Sequence, residues 1–178
     1  MTNKLSTYAA VLTAFMLSTS AYADTTVINI YGSVRAPTCS AVTANNGHPV
    51  DFGEVDARLL RMYGYSTPLQ FDIILENCNT ETYSNAVFKF SANTVPNSND
   101  YHIQLTQSVD HAKGVGIALK DNQGRDIAFN NQTSFLYPLT DGDNNLTFDA
   151  FLVSTGNNWD TLVPGLIAAQ ATFTVSYS

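Results

Sequence analysis

The chain has 178 residues, of which 44% are hydrophobic, 11% aromatic and only 13% charged, with a formal charge of -7. That length can bury a core and suits one domain, or at most two small ones. Low charge combined with many Ser, Thr, Asn and aromatic residues excludes a disordered tail or a coiled coil, and eight scattered Lys and Arg cannot form the basic face that nucleic acid requires.

Residues 1–23 read as a secretory signal peptide. Lys4 supplies the positive start, Ala9 to Leu17 (AAVLTAFML) is an uncharged run, and Ala21-Tyr22-Ala23 gives the small-x-small cleavage pattern. As a helix that run would reach only about 14 Å, short of the ~30 Å hydrocarbon core, so it is not a membrane anchor. Cleavage leaves a mature, exported chain beginning at Asp24, with no later segment expected to insert into a membrane. The next stretch alternates. Ile28, Ile30, Gly32, Val34 and Ala36 share one face, and Asn29, Tyr31, Ser33 and Arg35 the other. Nothing before it can act as a hairpin partner, and a mid-strand glycine marks close approach of another backbone. Two readings stand: an ordinary first strand, or a strand offered to another molecule.

Cys39 and Cys78 are the two cysteines, an even count in a chain headed for an oxidising compartment. They read as a structural disulfide, which over a loop of about 40 residues contributes roughly 4 kcal/mol. Neither CxxC spacing nor a neighbouring His supports a redox or metal pair.

Period-2 alternation marks the remaining strands. A short one is expected near Asp51 to Val55, then Leu69 to Leu75. Ala86, Phe88, Phe90 and Ala92 line one face of the next, followed by Val115 to Leu119. Leu146, Phe148, Ala150 and Leu152 repeat the pattern, and Ala171, Phe173, Val175 and Tyr177 close it. Turn clusters separate them at Asn45 to Gly47, Asn97 to Asp100, Asp121 to Gly124 and Asp141 to Asn144. The sum is one all-β, immunoglobulin-like sandwich.

No catalytic constellation stands out, so an enzyme is not expected. His48, His102 and His111 lack a nucleophile or carboxylate at a recognised spacing, and Gly114-Val115-Gly116 lacks the third glycine of a dinucleotide loop. Asp141, Asp143 and Asn145 imitate the start of a calcium loop, but Leu152 stands where its bidentate Glu belongs. The sequons Asn131-Gln132-Thr133 and Asn145-Leu146-Thr147 carry little weight in a bacterial-type exported chain. No cofactor or metal is expected.

Four features taken together resemble the subunits of chaperone–usher fimbriae. VINIYGSVRAPTC leads an alternating strand into the first cysteine, and FDIILENC carries the second. GVGIAL is similar to a mid-domain strand of that family. Val163-Pro164-Gly165 precedes the alternating ATFTVSYS, with Gly165 fourteenth from the end and a penultimate tyrosine. The resemblance covers essentially all of the mature chain.

It implies an incomplete sandwich of six strands whose last strand is missing, with residues 24–37 as an N-terminal donor-strand extension and 38–178 as the pilin domain. In such a fold the sequence stops on a strand, leaving a groove beside it unfilled. A periplasmic chaperone would lend a strand to that groove, registered against Gly165, Ala171, Phe173, Val175 and Tyr177. An outer-membrane usher would then exchange it for the extension of a neighbouring pilus subunit, and here the donor residues would be Ile28, Ile30, Gly32 and Val34. The expected product is a surface fimbria supporting cell adhesion. An Ala and Gly content poorer than expected of major shaft pilins, and an N-terminal strand more like that of adaptor subunits, place this chain with minor or adaptor subunits. The alternatives are a major shaft pilin and a self-complete secreted lectin-like adhesin.

Overall fold

The computed structural model describes residues 38–130, 133–156 and 161–178. The expected signal peptide and the 24–37 extension, with Ile28, Ile30, Gly32 and Val34, lie outside the described residues.

Among the described residues, eight strands build two antiparallel sheets. One sheet runs in the order β1 (Ala41–Ala44), β2 (Leu69–Cys78), β7 (Gly142–Ser154), β5 (Val115–Asp121) and β4 (Ile103–Gln104). The other runs β6 (Phe135–Pro138), β3 (Asn85–Ala92) and β8 (Ala171–Tyr177). Their inner faces meet over aromatic rings. Phe148 of β7 lies 6.5 Å from Phe88, 5.6 Å from Phe90 and 6.1 Å from Tyr137, all three on the facing sheet. Such edge and tilted contacts add to the area the rings bury. The molecule is the expected all-β, immunoglobulin-like sandwich.

Alternation placed the long strands correctly. Ala86, Phe88 and Phe90 are buried on β3, and Leu146, Phe148, Ala150 and Leu152 on β7. Three details differ from expectation. Eight strands stand in place of six, because the short β1, β4 and β6 carry too few residues to show a period. Residues 51–55 form no strand: Asp51 Oδ1 accepts from the Gly53 amide at 2.9 Å, and Gly53 takes a φ of +57°. They lead into the helix α1 (Ala57–Tyr63), capped by Asp56, whose carboxylate accepts from the Arg58 amide, and closed by Gly64 at φ +81°. The turn expected at Asp141 to Asn144 moves forward, since β7 already begins at Gly142.

A bulge near the end of β2 decides where the second cysteine points. Ile73 and Leu75 face the core, so strict alternation would send Asn77 inward and Cys78 out. The pairing with β7 instead slips between Leu75 and Cys78, and Asn77 takes a φ of +52°. Its amide donates to Asp143 Oδ1 at 2.9 Å and its side chain to Ser40 Oγ at 2.9 Å. Cys78 is thereby turned into the core and bonded to Cys39, both about 95% buried at 5% and 4% exposure. The disulfide expected from the cysteine count is present.

Candidate functional site

The feature that sets this sandwich apart is an open groove beside β8. That strand pairs with β3 in register (Phe90 with Phe173, Phe88 with Val175, Ala86 with Tyr177), and among the described residues nothing pairs with its other edge. The consequence shows in burial. On the same sheet face Ala86, Phe88 and Phe90 of β3 are buried, whereas Phe173, Val175 and Tyr177 are only half-buried and Ala171 is exposed. The rings are anchored on one side, Phe173 lying 5.9 Å from Phe88 and 6.2 Å from Phe90. Burial also pushes the Tyr177 hydroxyl above its ordinary pKa. The other side of each side chain has no cover.

The groove runs along this uncovered side. A cleft of about 1000 Å³ lies between the 49–55 stretch and residues 162–169, over Leu60, Val115, Ile117 and Leu152. A second of about 310 Å³ continues past Ala169 to Ala171 and Phe173, over Ile73, Phe90, Ile103, Leu119 and Ala150. The two share Pro49, Val50, Phe52, Ile117 and Ala169, so they form one channel. Its floor is almost wholly apolar and its rim carries unpaired strand backbone. That combination accepts an extended segment, with backbone hydrogen bonds to the edge and alternate side chains in the floor.

Gly165 is not part of β8; it lies in the preceding stretch at the wide end of the groove. There residues 163–166 pair with 110–113 through Leu166 N–H to Asp110 O at 2.7 Å, Ala112 N–H to Leu166 O at 2.9 Å and Lys113 N–H to Val163 O at 3.0 Å. A Cβ on Gly165 would sit 2.5 Å from Asp110 O and 2.6 Å from the His111 carbon. Both are backbone atoms, so the two segments would have to part. Gly165→Ala is therefore expected to cost about 1 to 3 kcal/mol, as overpacking does. Urea unfolding checks this; an unchanged midpoint would mean that the 163–166 segment can retreat without penalty.

The histidines are dispersed: His48 lines the narrow end of the groove, His111 stands at its rim beside Gly165, and His102 belongs to a separate cleft. Among the described residues no three His, Cys, Asp or Glu cluster as metal ligands. Sequence reasoning missed the groove's first wall, residues 49–55, because it expected a strand there. The available signal was Pro49, Asp51 and Gly53 in near succession.

Comparison with known proteins agrees with this architecture. Residues 28–178 match the family model described as fimbrial protein. The S-fimbrial protein subunit SfaA of Escherichia coli is 32% identical over 176 residues, covering 94% of this chain and 95% of that protein. The putative minor fimbrial subunit PmfF of Proteus mirabilis is 29% identical over 94% of this chain and 95% of its own length. The crystal structure of the P pilus rod subunit PapA superposes with a TM-score of 0.61 at 22% identity, covering 74% of this chain and 92% of that one. At that identity it speaks to fold alone. With the family model spanning the whole of the described sandwich, the chain belongs to the fimbrial protein family, structural subunits of fimbriae that are exported to the cell surface.

Proposed function

We propose that this subunit polymerises by donor-strand exchange, its own N-terminal strand filling a neighbour's groove while its groove receives another subunit's strand. The observation that carries the reading is the seven-residue edge strand β8, whose Phe173, Val175 and Tyr177 are half-covered beside an apolar channel. On this reading a periplasmic chaperone occupies the groove first and the outer-membrane usher directs the exchange. The donor side chains are Ile28, Ile30 and Val34, and Gly32 allows the donor backbone to approach where a side chain would clash. From Ile28 to Ala36 an extended strand spans roughly 26 Å. Burying its three aliphatic side chains contributes roughly 5 to 9 kcal/mol before ordering costs.

A synthetic peptide of a neighbouring subunit's N-terminal strand, added to the mature chain, tests the reading. At about a hundredfold excess over its Kd it is expected to stabilise the fold by about 2.7 kcal/mol, because it binds the native state alone. The same peptide with its central glycine replaced by leucine, and wild-type peptide added to a Phe173→Ser, Tyr177→Ser subunit, should give little of that gain. An unchanged unfolding midpoint with wild-type peptide would defeat the proposal.

Within the fibre we place the chain at a minor or adaptor position. Support comes from its modest glycine count, 10 in 178 residues, and from its likeness to a putative minor subunit over nearly its full length. Quantitative mass spectrometry of sheared fimbriae decides between the positions. A few copies per fibre are expected, and hundreds would make this the shaft pilin.

A further inference from the structure

A second cleft, of about 670 Å³, opens on the outer face of the five-stranded sheet. Its floor includes Ala118, Lys120, Asp149 and Phe151, which alternate along β5 and β7 with the residues flooring the groove. The 65–68 stretch and the 98–102 loop fold over that face and wall it. The size is that of a small-ligand site, and so is a mostly apolar lining with a few convergent polar groups. Two tyrosine rings, Tyr65 at 57% and Tyr101 at 39% exposure, line it without being packed away.

We propose that this outer cleft binds a neutral saccharide, its C–H face against the rings of Tyr65 and Tyr101 and its hydroxyls shared among Ser98, Lys120, Asp126 and Asp149. Charge narrows the ligand class. Lys120 Nζ lies 2.9 Å from Asp126 Oδ1, and Asp149 stands across the strand pair from Lys120. The cleft thus carries about one net negative charge, which repels anions. Burial holds the His102 imidazole below its ordinary pKa against the opposing pull of Asp126, so at neutral pH it offers one donor and one acceptor. The lining offers both donors and acceptors. A hydroxyl can serve both at once, whereas an ammonium or guanidinium only donates and would meet Lys120 as a like charge. Two oxygens of lining residues, Ser98 Oγ and Asp149 Oδ1, are buried without a hydrogen-bond partner among the described residues.

This inference does not depend on how the groove is filled. The test titrates glucose, galactose, mannose and N-acetylglucosamine into the full mature chain, followed by saturation-transfer NMR. At least one sugar is expected to bind, and Tyr65→Ala or Tyr101→Ala to weaken it about tenfold while leaving the unfolding midpoint in place. Both rings are exposed, so neither variant threatens the fold. Lack of transfer from all four sugars would overturn the proposal, as would undiminished binding by both variants. Binding of free arginine in place of the sugars would overturn it too, and would mark a cation site.

Discussion

Replacing Cys39 and Cys78 together by alanine is expected to lower the unfolding free energy by about 4 kcal/mol, the largest loss foreseen for any change described. In the chain-entropy picture a bridge across 39 positions removes that much freedom from the unfolded chain. The damage should also be local. β1 is held to β2 by four residue pairs, from Ala41 with Glu76 to Ala44 with Ile73, and the disulfide lies next to them. Beyond β1 comes the 45–56 stretch, which forms one wall of the groove. Loss of the bridge should therefore raise hydrogen exchange over residues 41–56 and weaken capture of a neighbouring subunit's donor-strand peptide. Denaturant titration and exchange measured on the same variant check both parts. A cost below about 1 kcal/mol would show that strand pairing and packing hold the wall unaided.

Asp121→Ala should come next, at about 3 kcal/mol. The carboxylate is 1% exposed and fully engaged. Its Oδ1 accepts the Gln123 and Arg125 amides at 2.9 Å each, and its Oδ2 accepts Arg125 Nε at 2.6 Å and the Tyr137 hydroxyl at 3.2 Å. The Arg125 guanidinium carbon lies over the rings of Phe135 and Tyr137, 5.5 and 5.6 Å from their centres. Removing the acceptor strands a buried tyrosine hydroxyl and two amides. Arg125 can turn to water, its side chain being 43% exposed, which keeps the cost at the low end for a broken buried pair. Burial alone would raise the Asp121 pKa, but the Arg125 and Gln123 hydrogen bonds outweigh it and carry the group below its ordinary value. A lowered folded-state pKa contributes stability that is complete above the unfolded value, near 3.9, and drains away as pH falls through the folded value. The stability difference between wild type and Asp121→Asn should accordingly be steady at pH 5 to 7 (about the neutral range) and shrink below about pH 4. A difference that stayed constant to pH 2 (roughly two units below the unfolded pKa) would contradict the charged network.

Long strands were legible because alternation over seven or more residues leaves one solution. Phe88 and Phe90 on β3, and Phe148 and Ala150 on β7, could face only the core. The short elements gave no such constraint. β6 earns its place through Phe135 and Tyr137 packing on β3, a contact 47 or more positions away in sequence that no local pattern encodes. The helix Ala57–Tyr63 makes barely two turns, yet its limits were written in Asp56 and Gly64. The β2 bulge was invisible, since its cause is Asp143 reaching Asn77 from another strand. Likewise the outer cleft draws its lining from five separated stretches, so nothing in its composition could announce it. Gly165 was picked out by resemblance alone, and the contact with Asp110 and His111 now supplies its physical reason.

The edges of the two sheets differ sharply in length. β1 and β6 offer four residues each, β4 offers two, and β6 ends in Pro138, while β8 offers seven. On the proposed donor-strand reading the monomer has one acceptor edge and one donor segment, which in the vocabulary of polymer chemistry is a functionality of two. Such monomers give linear chains whatever their concentration, because branching needs a third reactive end. On that reading, lengthening β6 or β1 into a second usable edge would raise the functionality to three and turn an unbranched fibre into a branched one.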